Sequence, residues 1–361
     1  MIDQKQCAVP ERFKNHPLFN ELHCGVNLGF LAKRGYYSRK EVLAQPELMR
    51  KTGVNCCILN ANLCQETFYS RKVFLDFRYS SGEIELTDMA KALHDNGIRV
   101  ILKPCLTLLD GAWMGKVNFP DSIQIEGVKI DYWGPWFASF RESAKYFAEF
   151  SEKNQLEGYI CGAEYYGTEH RDDDWKNVIA DVRSIYGGPL TYEFTCASRK
   201  AYELNFIHDL DFLSYSYYPP ACGHSKDRNT YKDAPKVTLE EMVEYLQPRK
   251  ARIKSICERF GNKPIAFTEI GVRSAHGCIA NPCDFQADTW FDEEEQANYM
   301  EAIFRTFQDI PQWLGLYWWK WDETQYRPHY HGDPRGDRGF TIQGKMAEKV
   351  LKKYYGADRK S

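Results

Sequence analysis

Eight short apolar runs alternate with stretches of helical spacing along this chain. The runs cover residues 24–30 (CGVNLGF), 55–63 (NCCILNANL), 99–106 (RVILKPCL), 158–166 (GYICGAEYY), 189–196 (PLTYEFTC), 212–220 (FLSYSYYPP), 264–271 (PIAFTEIG) and 314–322 (LGLYWWKWD). They are continuously apolar rather than strictly alternating, which marks strands covered on both faces in a parallel sheet. Eight such units with no break in composition predict a closed (β/α)8 barrel. The expected layout is a single domain over residues 1–361. The barrel occupies about 24–355, after a polar lead-in, 1–23, packed on the outside. A doubly wound open sheet is the alternative. It would carry a Gly-rich phosphate turn after an early strand, and neither GxGxxG nor GxxxxGK[ST] occurs.

Helical spacing covers residues 39–52, 86–96, 137–153, 172–186, 198–208, 238–260, 293–308 and 343–355. Gly97 falls where a helix would end on a left-handed residue. Asp172 to Asp174 suit a helix N-terminus. Thr238 with Glu241 three residues on has the pattern of a capping box. Pro248 is expected to kink or interrupt the helix that follows.

Charge and composition exclude several classes. A net charge of −3 and a pI near 6.3 give no basic excess for nucleic acid and no basic face for a membrane surface. The first nineteen residues contain no apolar signal-peptide core, and no later run is long enough to span a bilayer. The expected location is therefore cytoplasmic. The twelve cysteines are scattered. Cys24, Cys56, Cys57, Cys105, Cys161 and Cys196 fall in predicted strands, as small core hydrophobes in a reducing compartment. Cys278 and Cys283 share one loop, which leaves a bridge or a metal open for that pair. No CxxC or second ligand pair supports zinc. Aromatic residues reach 15%, with 23 Tyr, 21 Phe and 9 Trp. Such a surplus either fills a large core or lines a cleft where sugars stack.

Barrel chemistry sits at the carboxyl ends of the strands. The ends here offer Asn60 and Asn62 from the second run, Lys103 from the third, and Glu164 and Tyr166 from the fourth. Glu193 comes from the fifth, Tyr215 and Tyr217 from the sixth, Glu269 from the seventh, and Trp319, Trp321 and Asp322 from the eighth. Retaining glycoside cleavage needs two carboxyl groups about 5–5.5 Å apart, one a nucleophile and one a general acid/base. Glu164 and Glu269, on strands four and seven, face each other across an eight-stranded barrel and are the candidate pair. The acid needs a raised pKa, which burial and the other carboxylate would supply. Glu193 is a weaker candidate, because alternation could equally turn it against a helix.

These residues carry a family resemblance. Glutamates ending strands four and seven mark the clan of retaining glycosidases built on (β/α)8 barrels. Within that clan the chain resembles glycoside hydrolase family 113, whose members act on β-1,4-mannan and manno-oligosaccharides. The matching pieces are ILKP, WGPWFASF, CGAEYY, SYSYYPP, FTEIG and LYWWKWD, in order from about Cys24 to about Tyr355. The resemblance implies Glu164 as acid/base and Glu269 as nucleophile. Tyr217 would hydrogen-bond to the nucleophile, and Trp319 or Trp321 would form the floor under the sugar. Strand alternation puts 319 and 321 on one face and gives Trp318 to the outer helices. Lys103 would reach a sugar hydroxyl or a carboxylate.

The implied partner is an oligosaccharide, with manno-oligosaccharides foremost, and no cofactor or metal is called for. The clan often places Asn before the acid/base to hold the sugar 2-hydroxyl, but this chain has Ala163. That leaves Asn60, Asn62 or Lys103 to take the role. A β-glucosidase or β-glucanase, a transglycosylase of the same clan and a silent carbohydrate-binding barrel are the rival readings.

Other features are weaker. His329, His331, Asp333 and Asp337 read as a long loop after the last strand rather than a metal site. Arg273 and His276 read as substrate contacts or loop anchors. Trp113, Trp133 and Trp136 either cap the barrel or form a further sugar subsite.

Overall fold

The computed structural model describes residues 7–195, 203–287, 289–321 and 337–356. Eight parallel strands close a barrel: β1 (His23–Leu28), β2 (Cys56–Gln65), β3 (Arg99–Leu108), β4 (Gly158–Ala163), β5 (Leu190–Thr195), β6 (Leu213–Ser216), β7 (Ile265–Ile270) and β8 (Trp313–Trp321). They neighbour one another in chain order, and β1 pairs with β8 to close the ring. All eight are buried almost throughout, as their unbroken apolar runs require.

The connections are helical. Lys40–Leu43 and Gln45–Lys51 follow β1, Glu83–Asp95 follows β2, and Trp133–Lys153 follows β3. Asp172–Arg183 follows β4, Leu239–Arg259 follows β6, Glu293–Phe307 follows β7, and Met346–Tyr355 ends the chain. The capping box at Thr238 and Glu241 is present, and Gly97 adopts its left-handed conformation at φ 70°. The helix Leu239–Arg259 runs unbroken with Pro248 inside it, so the expected interruption does not occur. Of the expected helix at 198–208, residues 198–202 and Cys196 just before it lie outside the described residues, and Phe206–Asp209 is a 3-10 turn. A hairpin (Ile123–Ile125 with Val128–Ile130) sits in the segment after β3 and had no clear signature in the sequence.

The lead-in does more than pack outside. Phe13, Leu18 and Phe19 are buried in one cluster with Cys56, Ile58, Ile101, Ile160, Phe212 and Leu314, which lie at or near the starts of the strands. They plug the amino-terminal mouth of the barrel. The Leu18 carbonyl is 2.7 Å from His23 Nε2, which ties the plug to β1. The larger apolar cluster lies between strands and helices and includes Trp136, Trp175 and Trp318. The strand cysteines described are buried, and no disulfide joins Cys278 to Cys283. Among the described residues, no helix is long and apolar enough to cross a membrane.

Candidate active site

Glu269 is the penultimate residue of β7 and lies inside the carboxyl-terminal mouth, 13% exposed at its side chain. Three donors converge on it. Lys103 Nζ, from β3, lies 2.5 Å from Oε1. The Tyr218 hydroxyl donates to Oε2 at 3.1 Å, and Ser216 Oγ is 3.4 Å from the same oxygen.

Glu164 follows β4 directly and has φ of 58°, in the left-handed region that non-glycine residues seldom enter. Its neighbours fix that conformation. Its own N–H donates to the Glu193 carbonyl at 2.9 Å, and the Tyr166 N–H donates to its carbonyl at 2.8 Å. The Tyr165 N–H donates to the Tyr192 hydroxyl at 3.1 Å. Behind β4, Trp175 and Tyr192 press so closely on Gly162 that a Cβ there would lie 2.8 Å from either ring. A strained residue held by a firm surround is a common property of reactive positions.

The Glu164 carboxyl accepts from Trp113 Nε1 at 2.8 Å. Burial pushes it above the usual carboxylate range, and the Glu269 carboxylate adds to the rise. Hydrogen bonds from Ser216 and Trp113, and the Lys103 charge, oppose that rise without cancelling it. Ser216 thus reaches both glutamates.

Lys103 and Glu193 are fully buried beneath this pair. Lys103 Nζ lies 3.2 and 3.4 Å from the two oxygens of Glu193. Burial works against the ammonium, but the carboxylates of Glu193 and Glu269 outweigh it and hold its pKa above the ordinary lysine value. Burial raises the Glu193 carboxyl, while the Lys103 ammonium at 3.2 Å lowers it and favours its ionised form. Alternation turns Glu193 into the barrel rather than against a helix.

Several expected site residues lie elsewhere. The Tyr217 N–H donates to the Glu269 carbonyl at 2.7 Å, but its ring lies tilted against Phe267 at 4.6 Å and meets Phe307 edge-on, while the Tyr218 hydroxyl reaches the Glu269 carboxylate. On β6, Ser214 and Ser216 face the barrel and Tyr215 and Tyr217 face the helices, so the next inward position is 218. That pattern of small polar residues alternating with large aromatics was the signal that could have found Tyr218.

Trp319 lies beside the pair, its ring centroid 5.5 Å from Lys103 Nζ and 4.8 Å from Phe30. Trp321 does not share its face. Val26 pairs with Trp318 but Leu28 with Trp321, so β8 gains a residue and the alternation shifts. Trp321 is buried and donates to Gln45 Oε1 at 3.0 Å. Trp318 packs outward, as expected, with Nε1 donating to the Phe340 carbonyl.

Asn60 and Asn62 are buried and their NH2 groups are engaged, while Asn62 Oδ1 has no partner among the described residues. Asn60 donates to the Leu28 carbonyl at 2.8 Å and accepts from the Cys105 thiol. Asn62 donates to the Ala32 and Tyr79 carbonyls. Both amides hold loop backbone at the rim. Tyr166 is exposed, on the turn after Glu164.

Of the three loop tryptophans, Trp113 reaches the site. Trp133 and Trp136 are buried in the helix after β3, Trp136 donating to Gln65 and stacking on Phe140. Arg273 and His276 are loop anchors. Arg273 donates to the Arg338 and Ala287 carbonyls. His276 stacks on Trp290, with Nδ1 3.1 Å from Asp292 and Nε2 2.9 Å from the Ala234 carbonyl. His276, Asp292 and Glu295 form a group compact enough for a metal among the described residues. Their ligand atoms are already engaged with one another and with the Gly277 and Ile279 amides. Asp322, His329, His331 and Asp333 lie outside the described residues. Asp337 is buried and accepts from Thr341 and the Gly339 amide.

A closed (β/α)8 barrel with glutamates at the ends of its fourth and seventh strands defines the class of barrel glycosidases. The chain matches the model of Glycoside Hydrolase Family 113 over residues 26–345 and belongs to that family, so it is a glycoside hydrolase. A complex of a GH113 β-1,4-mannanase aligns with a TM-score of 0.79 and 25% identity, over 93% of this chain and 99% of that one. The GH113 β-mannanase AaManA from Alicyclobacillus acidocaldarius, in complex with ManMIm, aligns at 0.77 and 23%, over 94% and 99%. An apo β-glucuronidase from Ruminococcus gnavus shares the fold alone, at 0.59 and 14%, over 93% and 50%. No curated protein sequence matches the chain.

Proposed function

We propose that this glycoside hydrolase cleaves β-1,4-mannosidic bonds in mannan-derived oligosaccharides, with retention at the anomeric carbon. The observation that carries the mechanism is the contrast between the two glutamates. Glu269 is met by an ammonium and two hydroxyls, whereas Glu164 is raised by burial and by Glu269 itself. A pair of carboxyls set apart in this way divides into nucleophile and acid.

Glu269 attacks the anomeric carbon while Glu164 protonates the leaving oxygen. Glu164 then takes a proton from water, whose oxygen displaces Glu269. Trp319, with Lys103 beneath it, offers the apolar floor for the reacting sugar. Family membership and the two β-mannanase structures support mannose as the sugar.

Manno- and cello-oligosaccharides of several lengths, given to the wild type and to Glu269→Ala, test the reading. Cleavage of the manno series, abolished by the substitution, is the expected result. Cleavage of the cello series alone would discard mannose. Turnover by Glu269→Ala equal to the wild type would discard the mechanism.

A further inference from the structure

The two-glutamate reaction leaves Glu193, the buried carboxyl beside the pair, without a role. Glu193 is fully buried, and it faces Lys103 and Cys105 from β3, Glu164 after β4, and Thr268 and Glu269 from β7. A carboxyl so placed is costly to bury unless it is paired. Its partner is the ammonium that also touches Glu269.

Charge moves during the reaction, and this gives the pair a task. In the first step a Glu269 oxygen bonds to the anomeric carbon, and the bond from that carbon to the leaving oxygen breaks. The leaving oxygen takes the proton of Glu164. Glu269 becomes a neutral ester and Glu164 a carboxylate, so negative charge leaves the side of Lys103. With Lys103 at 0% exposure, no solvent can compensate it there. The second step reverses the movement. Water gives its proton to Glu164 and its oxygen to the anomeric carbon, and the ester bond breaks to restore the Glu269 carboxylate.

We propose that Glu193 is a positioning residue that remains as the counterion of Lys103 while Glu269 is esterified, so that the glycosyl-enzyme can form. This rests on the two-step reading above. Without Glu193 the intermediate leaves an unpaired buried cation. Formation of the ester therefore slows, and its breakdown does not.

The test uses 2-deoxy-2-fluoro-β-mannosyl fluoride, with adduct formation and reactivation timed separately by mass spectrometry. The wild type must first gain the sugar on Glu269. Absence of that adduct would sink the two-step reading, and this inference with it. Given the adduct, Glu193→Gln is expected to form it about tenfold to hundredfold more slowly and to reactivate no more slowly than the wild type. Glu193→Asp, which keeps the charge on a shorter side chain farther from Lys103, forms the adduct faster than Glu193→Gln but still more slowly than the wild type. Formation within about threefold of the wild type, or both steps slowed alike as general damage would give, overturns the proposal. If Glu193→Gln does not fold, Glu193→Asp is read alone. Slower formation with unchanged reactivation then supports the role, and any other pattern overturns it.

Discussion

The indole N–H of Trp113 donates to Oε2 of Glu164 at 2.8 Å, so a loop residue after β3 acts on the charge of the residue that follows β4. An N–H bonds more strongly to a charged carboxylate than to a neutral carboxyl, so this bond favours the carboxylate form and pulls the Glu164 pKa down against burial. Trp113→Phe keeps an aromatic ring but removes the donor. The Glu164 pKa then rises further, and the alkaline limb of kcat/KM moves to higher pH. The rate at the optimum is expected to fall by about tenfold, since Glu164 also loses an orienting contact. A pH–rate profile of the variant beside the wild type checks both.

Tyr218→Phe removes one of the two hydroxyls at Glu269 and keeps the buried ring. Burial holds the Tyr218 phenol well above its ordinary pKa, so it remains a donor through the neutral range. The expected loss is about tenfold to hundredfold in kcat/KM, the equivalent of a hydrogen bond to a charged group. Steady-state kinetics read the loss, and an unchanged melting temperature shows that the fold is intact.

Lys103→Met leaves Glu193 buried without its cation. A destabilisation of about 3–5 kcal/mol is expected, together with loss of turnover. Adding Glu193→Gln to that background removes the orphaned charge and should recover part of the stability, though not the activity. Urea denaturation of both single variants and the double variant measures the coupling.

Much of the fold was legible because burial on both faces leaves an unmistakable apolar run. The two glutamates were legible too, since each closes such a run. What escaped depended on where a strand changes phase. The extra residue on β8 between Trp318 and Trp321 turns Trp321 toward Gln45, and alternation counted along the sequence cannot register it. Tyr217 and Tyr218 are adjacent and chemically identical, so only the inward phase of Ser214 and Ser216 separates them. Asn60 and Asn62 read as ligand contacts because they are polar in an apolar strand. Buried amides are as often spent on loop carbonyls, which is their use here.

The plug at the base is the other element the sequence understated, because three apolar residues among polar ones do not make a periodic pattern. Phe19 is fully buried against Phe13 and Phe212. Phe19→Ala should cost about 3–5 kcal/mol while leaving kcat per folded molecule near the wild-type value, since the plug lies at the end opposite the glutamates. Denaturant titration with an active-site count separates the two effects.

Azide rescue tests the central assignment most directly. Glu164→Ala and Glu269→Ala are each given an activated aryl β-mannoside with azide, and the glycosyl azide is identified by NMR. With Glu269 as nucleophile and Glu164 as acid/base, Glu164→Ala yields the β-azide through the glycosyl-enzyme. Glu269→Ala yields the α-azide by direct attack from the face the carboxylate has vacated. The opposite pairing, or one and the same anomer from both variants, would contradict the roles given to the two glutamates.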